Sequence, residues 1–385
     1  MRPPSRWRPA TSRTSAIFRD TARPGWRARS PCPRTRRPAP VARPRARPAR
    51  RRRRPAPSLP AVRARADPVP SPGTLDDWFT RRTFSPDDLD LDALIARKRA
   101  TGQTVSLVLP ARNEADTIVG VIEAGRSLVG RLVDELVVID GGSSDGTAEL
   151  AAAAGAIVYD DNRIMSDFGR ARGKGDALWR SLRVTAGDIV AFVDTDIRNP
   201  DPRFVWGIVA PLLLDDGIDY VKAFYDRPID AGGVLQPSGG GRVTELLARP
   251  LLNLFWPELA GLVQPLSGEY AGRRTVLERV PFFTGYGVEL GLLLDILVLR
   301  GADAIAQVDI GRRVHRNQQL PSLSRMAFAI ARVALERLSS ADRARFADEL
   351  GTRYVQFSRD DHGRITVEPT DVADVERPPI ASLPR

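Results

Sequence analysis

IVAFVDTDIRNP, residues 189–200, runs from an unbroken apolar stretch into two aspartates around Thr195, and its reading decides the fold. A strand that is apolar on both faces belongs in a parallel sheet covered on two sides. Side chains two apart on a strand share a face, so Asp194 and Asp196 aim the same way where strand gives way to loop. Neighbouring like charges cost energy unless something positive lies between them. Ligands of open α/β sheets bind beyond the carboxyl ends of the strands, where this pair stands.

The surrounding chain repeats the pattern. VSLVLP (105–110), LVVID (136–140), AIVYD (156–160) and YVKAFY (220–225) read as further strands. Helical segments alternate with them: about 116–128, the Ala-rich GTAELAAAAGA, DALWRSLRV and FVWGIVAPLLL. PDDLDLDALIARKRA reads as a short capped helix leading into the domain, and RYVQFSRDDHGRITVEP as a hairpin turning at Asp361-His362-Gly363. Such alternation predicts an α/β fold with a mostly parallel, Rossmann-like sheet flanked by helices.

Charge divides the 385-residue chain. Residues 1–66 hold 21 Arg, no Lys and one acid, a balance of +20; against +11 for the whole chain this leaves −9 for the rest. That stretch, rich in Pro, Ala and Arg, cannot bury a core and reads as a solvated arm or as upstream sequence translated from an early start. Any nucleic-acid contact would rest on it alone, because the remainder is acidic. The sole cysteine, Cys32, lies there too, so no disulfide framework or thiolate metal site is expected. No apolar run reaches membrane-spanning length, and a cytoplasmic location is the expectation.

Each strand end carries a polar loop. LPARNEAD sets Pro110, Ala111 and Arg112 where they can meet a base or ribose, with Glu114 as an acceptor. IDGGSSDGT brings Asp140 and small residues, Ser143 among them, to a ligand approaching the backbone. RGKGDALWRS places Lys174 at a helix start, which favours an anion. Neither GxGxxG nor GxxxxGK[ST] occurs, which excludes the dinucleotide and P-loop phosphate cradles. A diphosphate facing these carboxylates would be repelled by about 4 kcal/mol per unit pair at about 4 Å and an effective dielectric near 20. A divalent cation removes that repulsion, and Mg²⁺ binds through one or two carboxylates plus substrate phosphates. In the second half, SGGGRVTELL (238–247) sets Gly241, Arg242 and Thr244 at a helix start, suited to a small phosphorylated acid.

Together LVLPARNEADTI, VVIDGGSSDGT, GKGDALW and AFVDTDIRNP resemble the nucleotide-sugar glycosyltransferases of the GT-A fold. Over residues 101–320, GGGRVTELLARPLL, QPLSGEYAGRR, FTGYGVELGLLLDI and AIAQVDIGRRVHRN resemble the actinobacterial glucosyl-3-phosphoglycerate synthases. The resemblance implies retaining transfer of glucose from UDP-glucose to the 2-hydroxyl of 3-phosphoglycerate, with UDP against GDP left open, and pairing into homodimers. It implies Asp196 and His315 as ligands of Mg²⁺, or Mn²⁺ in its place, with Asp194 and Thr195 also on the donor. Glu289 and Tyr286 fall on the sugar, and the Leu266 carbonyl beside the reacting centre. Lys174 and Asp196 fall on the departing UDP. Gly241, Arg242 and Thr244 would contact the acceptor, with Arg313 and Asn317 facing phosphate or glycerate. Composition and pattern give an arm (1–70), a helical extension (71–100) and a C-terminal hairpin with its own arm (351–385); between them the resemblance implies a nucleotide-sugar half (101–230) and an acceptor half (231–350). A transferase using GDP-mannose or a lipid phosphate is the nearest rival.

Overall fold

The computed structural model describes residues 72–226, 229–231, 234–236, 241–314, 320–341, 352–359 and 365–384. Its centre is an eight-stranded sheet: β1 Thr83–Phe84, β2 Val105–Ala111, β3 Glu135–Asp140, β4 Ile157–Asp160, β5 Ile189–Phe192, β6 Tyr220–Asp226, β7 Tyr270–Arg273 and β8 Ile305–Arg312. The spatial order is β1-β8-β6-β7-β5-β2-β3-β4. All neighbours run parallel except β7, which is antiparallel to both β5 and β6. The expected mostly parallel sheet is therefore present, with one reversed strand the sequence reading did not foresee. The cause is local: Tyr270-Ala271-Gly272-Arg273 is too short to show a hydrophobic period.

Alternation along the strands builds two cores. Leu107 and Leu109 pack into one cluster with Ile118, Ile122, Phe204 and Ile208. Val108 points the other way, toward Leu178, Trp179, Leu292 and Ile330. Helices Leu91–Thr101, Ile118–Arg126 and Arg203–Leu214 cover the first face; Lys174–Val184, Val288–Arg300 and Leu320–Ser340 cover the second. Central strands flanked this way must be apolar on both sides, which is why they read as continuous runs. The entry helix is capped as its Asp-rich start suggests: Asp90 Oδ1 accepts from Asp92 N at 2.8 Å. No helix among the described residues is long and apolar enough to cross a membrane.

Arg353–Arg359 pairs antiparallel with Ile365–Asp371; the turn at Asp361-His362-Gly363 lies outside the described residues. The segment beyond it is not the free arm expected from its composition. Glu376–Arg377 pairs with Phe282–Phe283, Trp179 Nε1 donates to the Pro378 carbonyl at 2.9 Å, and Arg377 forms a two-pronged pair with the fully buried Asp176 at 2.8 and 3.0 Å. The long, mostly polar stretch is legible as an arm only because its partners lie about two hundred residues upstream.

Candidate active site

The loops after β2 and β3 lock together. Gly141 N donates to Ala111 O at 2.8 Å, Asn113 N to Ser143 Oγ at 2.9 Å, and Ser144 N to Asn113 Oδ1 at 2.9 Å. Asn113 is held at φ 57°, a conformation that asparagine tolerates better than most residues. The Ser143 hydroxyl thus serves the loop–loop joint. Asp140, 7 % exposed, accepts from Gly142 N and Ser143 N with one oxygen. Its other oxygen is buried without a hydrogen-bond partner among the described residues, and such an atom favours an incoming donor. Pro110 and Glu114 are half-buried, Ala111 is buried and Arg112 projects into solvent.

After β5, the Thr195 hydroxyl donates to Pro110 O at 2.9 Å and is buried. It ties the aspartate loop to β2, so the residue between the aspartates faces the sheet. The aspartates themselves meet cations. Lys174 Nζ lies 2.5 Å from Asp194 Oδ1 and 2.9 Å from Glu289 Oε1. Arg313 lies 2.6 Å from Asp196, 3.5 Å from Asp194 and 3.1 Å from Glu269. The last contact is an ion pair without hydrogen-bond alignment, and both Glu269 oxygens, fully buried, have no hydrogen-bond partner among the described residues. Beneath them Lys222, 1 % exposed, donates to Ser267 O at 2.6 Å and stands 4.3 Å from the Tyr270 ring centre.

Electrostatics follow from burial and proximity. Burial opposes the Lys174 charge, yet Asp194 and Glu289 raise its pKa above the usual lysine value. Burial likewise opposes Arg313, and Glu269, Asp196 and Asp194 outweigh it. Lys222 differs: burial dominates and pulls its pKa down to about 7, despite Glu289, Glu269 and Asp194 nearby. Four carboxylates, Asp194, Asp196, Glu269 and Glu289, thus face three basic groups, Lys174, Lys222 and Arg313. Asp196 is the most open of the four, its side chain 33 % exposed.

The glycosyl transferase family 2 model matches residues 106–252, from β2 into the helix Arg249–Phe255. Glucosyl-3-phosphoglycerate synthase of Petrotoga mobilis is 44% identical over 314 residues, covering 80% of this chain and 96% of that protein. The synthase of Mycolicibacterium smegmatis is 44% identical over 306 residues, covering 80% and 98%. This chain belongs to the glucosyl-3-phosphoglycerate synthase family. Two solved structures carry the likeness into three dimensions. Mannosyl-3-phosphoglycerate synthase from Rubrobacter xylanophilus superposes with a TM-score of 0.74 at 43% identity, covering 81% of this chain and 98% of that one. Glucosyl-3-phosphoglycerate synthase from Mycobacterium tuberculosis, solved with Mn²⁺, UDP-glucose and phosphoglyceric acid, gives 0.68 at 43% identity, covering 78% and 98%.

Within this synthase frame, Lys174, Asp194, Asp196 and Glu289 come together in space, as do the two loops around Ala111 and Ser143. Two expectations change. Arg313, read as an acceptor contact, is 3 % exposed and committed to Asp194, Asp196 and Glu269. An arginine enclosed by carboxylates gains more from them than from a solvent-side anion. Lys174, expected to favour an anion through a helix start, could do so only from its side chain: its ammonium lies between two carboxylates, and the helix start is occupied, with Asp176 N donating to Thr284 O at 3.1 Å. Of the residues expected to meet the acceptor, Gly241 has φ 80°, Arg242 is exposed and Thr244 is buried at the start of a π-helical turn, Thr244–Ala248. Tyr286 is 48% exposed and Leu266 half-buried. His315 and Asn317 lie outside the described residues. The sequence reading passed over Lys222, and it placed LSGEY (266–270) beside the reacting centre without giving Gly268 or Glu269 a part. The only available signal was that LSGEY joins a glycine and an acid directly to a short buried strand.

Proposed function

We propose that this family member transfers glucose from UDP-glucose to the 2-hydroxyl of 3-phosphoglycerate, with retention and with a divalent cation. The observation that carries the reading is the cluster after β5: four carboxylates against three basic groups leave one negative charge in excess, and Asp196 opens toward solvent. Mg²⁺ or Mn²⁺ fits such a donor set, because either binds through few carboxylates and completes its shell with phosphate oxygens. Asp196 would hold the ion, with His315 as the second protein ligand. When bound, the cation supplies charge neutralisation for the diphosphate and for the leaving UDP.

The chain's own groups have separate tasks. The free oxygen of Asp140 accepts a ring N–H of the base. Pro110, Ala111, Arg112, Glu114 and Ser143 shape the nucleoside site, and Asp194 and Thr195 fix the loop that presents Asp196. Lys174, held by Asp194 and Glu289, keeps a positive charge beside the departing phosphate. Glu289 and Tyr286 orient sugar hydroxyls, and the Leu266 carbonyl faces the sugar as positive charge develops on it. Gly241, Arg242 and Thr244, with Asn317, hold the phosphorylated acid. The departing phosphate oxygen takes the proton of the attacking hydroxyl, so no separate base is required. A cytoplasmic homodimer completes the reading.

A second reading, mannose from GDP-mannose, is favoured by the likeness to the Rubrobacter xylanophilus mannosyl-3-phosphoglycerate synthase. UDP- and GDP-glucose and GDP-mannose, each offered with 3-phosphoglycerate, 2-phosphoglycerate or glycerate, with and without Mg²⁺, test both. Glucosyl-3-phosphoglycerate formed from UDP-glucose only with the metal is the expected result. Turnover unaffected by chelator, or transfer confined to mannose, would overturn the first reading. Light scattering checks the dimer.

A further inference from the structure

Asn199 joins two distant parts of the chain. The loop leaving Asp196 runs beside the segment leaving β8, and Arg198 N donates to Val314 O at 2.9 Å. The Asn199 side chain extends this pairing: its Oδ1 accepts from Val314 N at 2.6 Å and its Nδ2 donates to Arg312 O at 2.7 Å. One carboxamide therefore straddles Arg313, with its acceptor and its donor each matched to the backbone group it meets.

The need for such a joint is visible in the sheet. β1 pairs with β8 only at Gln307 and Val308. The register between β8 and β6 shifts between Asp309 and Arg312, where Gly311 takes φ 82°. Arg313 N still reaches Asp226 O on the inner side at 3.1 Å. On the outer side no strand among the described residues meets Arg312 O and Val314 N, and the 198–199 loop takes that place. A short amide suits it: aspartate offers no donor, and glutamine is one methylene too long.

We propose that Asn199 is a positioning residue for the divalent-cation site: by fixing the backbone on both sides of Arg313, it sets where that guanidinium holds the Asp196 carboxylate. The inference rests on the reading of Asp196 as metal ligand. Arg313 lies 2.6 Å from Asp196, so a swing of the 312–314 segment moves the carboxylate's partner directly. Groups that orient a metal ligand commonly change metal affinity by about ten- to a hundredfold when removed.

The test is a titration of the full chain with Mn²⁺ in the presence of UDP, followed by the electron paramagnetic resonance signal of free Mn²⁺. Asn199→Ala is expected to raise the apparent Kd about tenfold, with turnover returning to the parent value at saturating Mn²⁺. Asn199→Gln, which keeps the amide but displaces it, is expected to do the same and serves if the alanine variant does not fold. Arg203→Ala on the neighbouring helix should leave the affinity unchanged. A Kd within twofold of the parent's overturns the inference, and so does turnover that stays low at saturating Mn²⁺, the sign of general damage to the fold. Parent protein that holds no Mn²⁺ sinks the metal reading itself, and the positioning role with it.

Discussion

The α-carbon of Gly268 is seated against the carboxylate of Asp194 so closely that any side chain at residue 268 would overlap it. The start of β7 is thereby the floor of the acidic cluster, and the Asp194–Lys174–Glu289 chain rests on the absence of one methyl group. Gly268→Ala is expected to push Asp194 from Lys174 and lower kcat by about a hundredfold while circular dichroism stays that of the parent. Steady-state kinetics check it; an alanine variant of parent activity would show that Asp194 need not sit there.

Arg313 gives a prediction that separates its two readings. If it holds Asp194, Asp196 and Glu269, Arg313→Met strands a fully buried carboxylate and lowers stability by about 3 to 5 kcal/mol, read by urea unfolding. If it instead served the acceptor, stability would barely change and the KM for 3-phosphoglycerate alone would rise.

Lys222 makes stability depend on pH in a defined direction. Its pKa is near 7 folded against 10.5 for the free side chain, so between those values the unfolded chain binds more protons. Stability therefore rises with pH across that interval, and the penalty of burying the charge is fully present below about 7. Lys222→Met should remove a rise on the order of 5 kcal/mol, seen as a flatter curve of unfolding free energy from pH 6 to 10. Matching slopes in parent and variant would refute it.

For the acceptor side, Arg242→Ala is expected to raise the KM for 3-phosphoglycerate about tenfold or more, the scale of one charged hydrogen bond. The KM for UDP-glucose should change by less than twofold. Equal effects on both would remove Arg242 from the acceptor pocket.

Much of this architecture could be read before folding. β2, β3 and β5 are buried on both faces, so apart from Ser106 their interiors are apolar, and the polar loops at their ends stand out by contrast. β7 escaped because four residues that include a glycine look like a loop until β5 and β6 accept them on either side. Asp194 and Asp196 do share one side, although β5 ends at Phe192 and the pair stands in the loop after it, and the cation expected between them is partly protein: Arg313 touches both. No local pattern indicates that an arginine 117 residues away will arrive there. Asp176 and Arg377 make the same point, since neither GKGDALW nor VERPP hints at the other.

That last pair has a bearing on how the molecule is made. Arg180 secures the stretch before Lys174 through the carbonyls of Asp161 and Gly169, but Asp176 also waits for Arg377, far along the chain. Domains otherwise fold progressively during synthesis. Here the segment carrying Lys174 keeps a dry carboxylate short of one partner until Arg377, 201 residues later in the chain, has docked, so the helix beneath the acidic cluster is completed late.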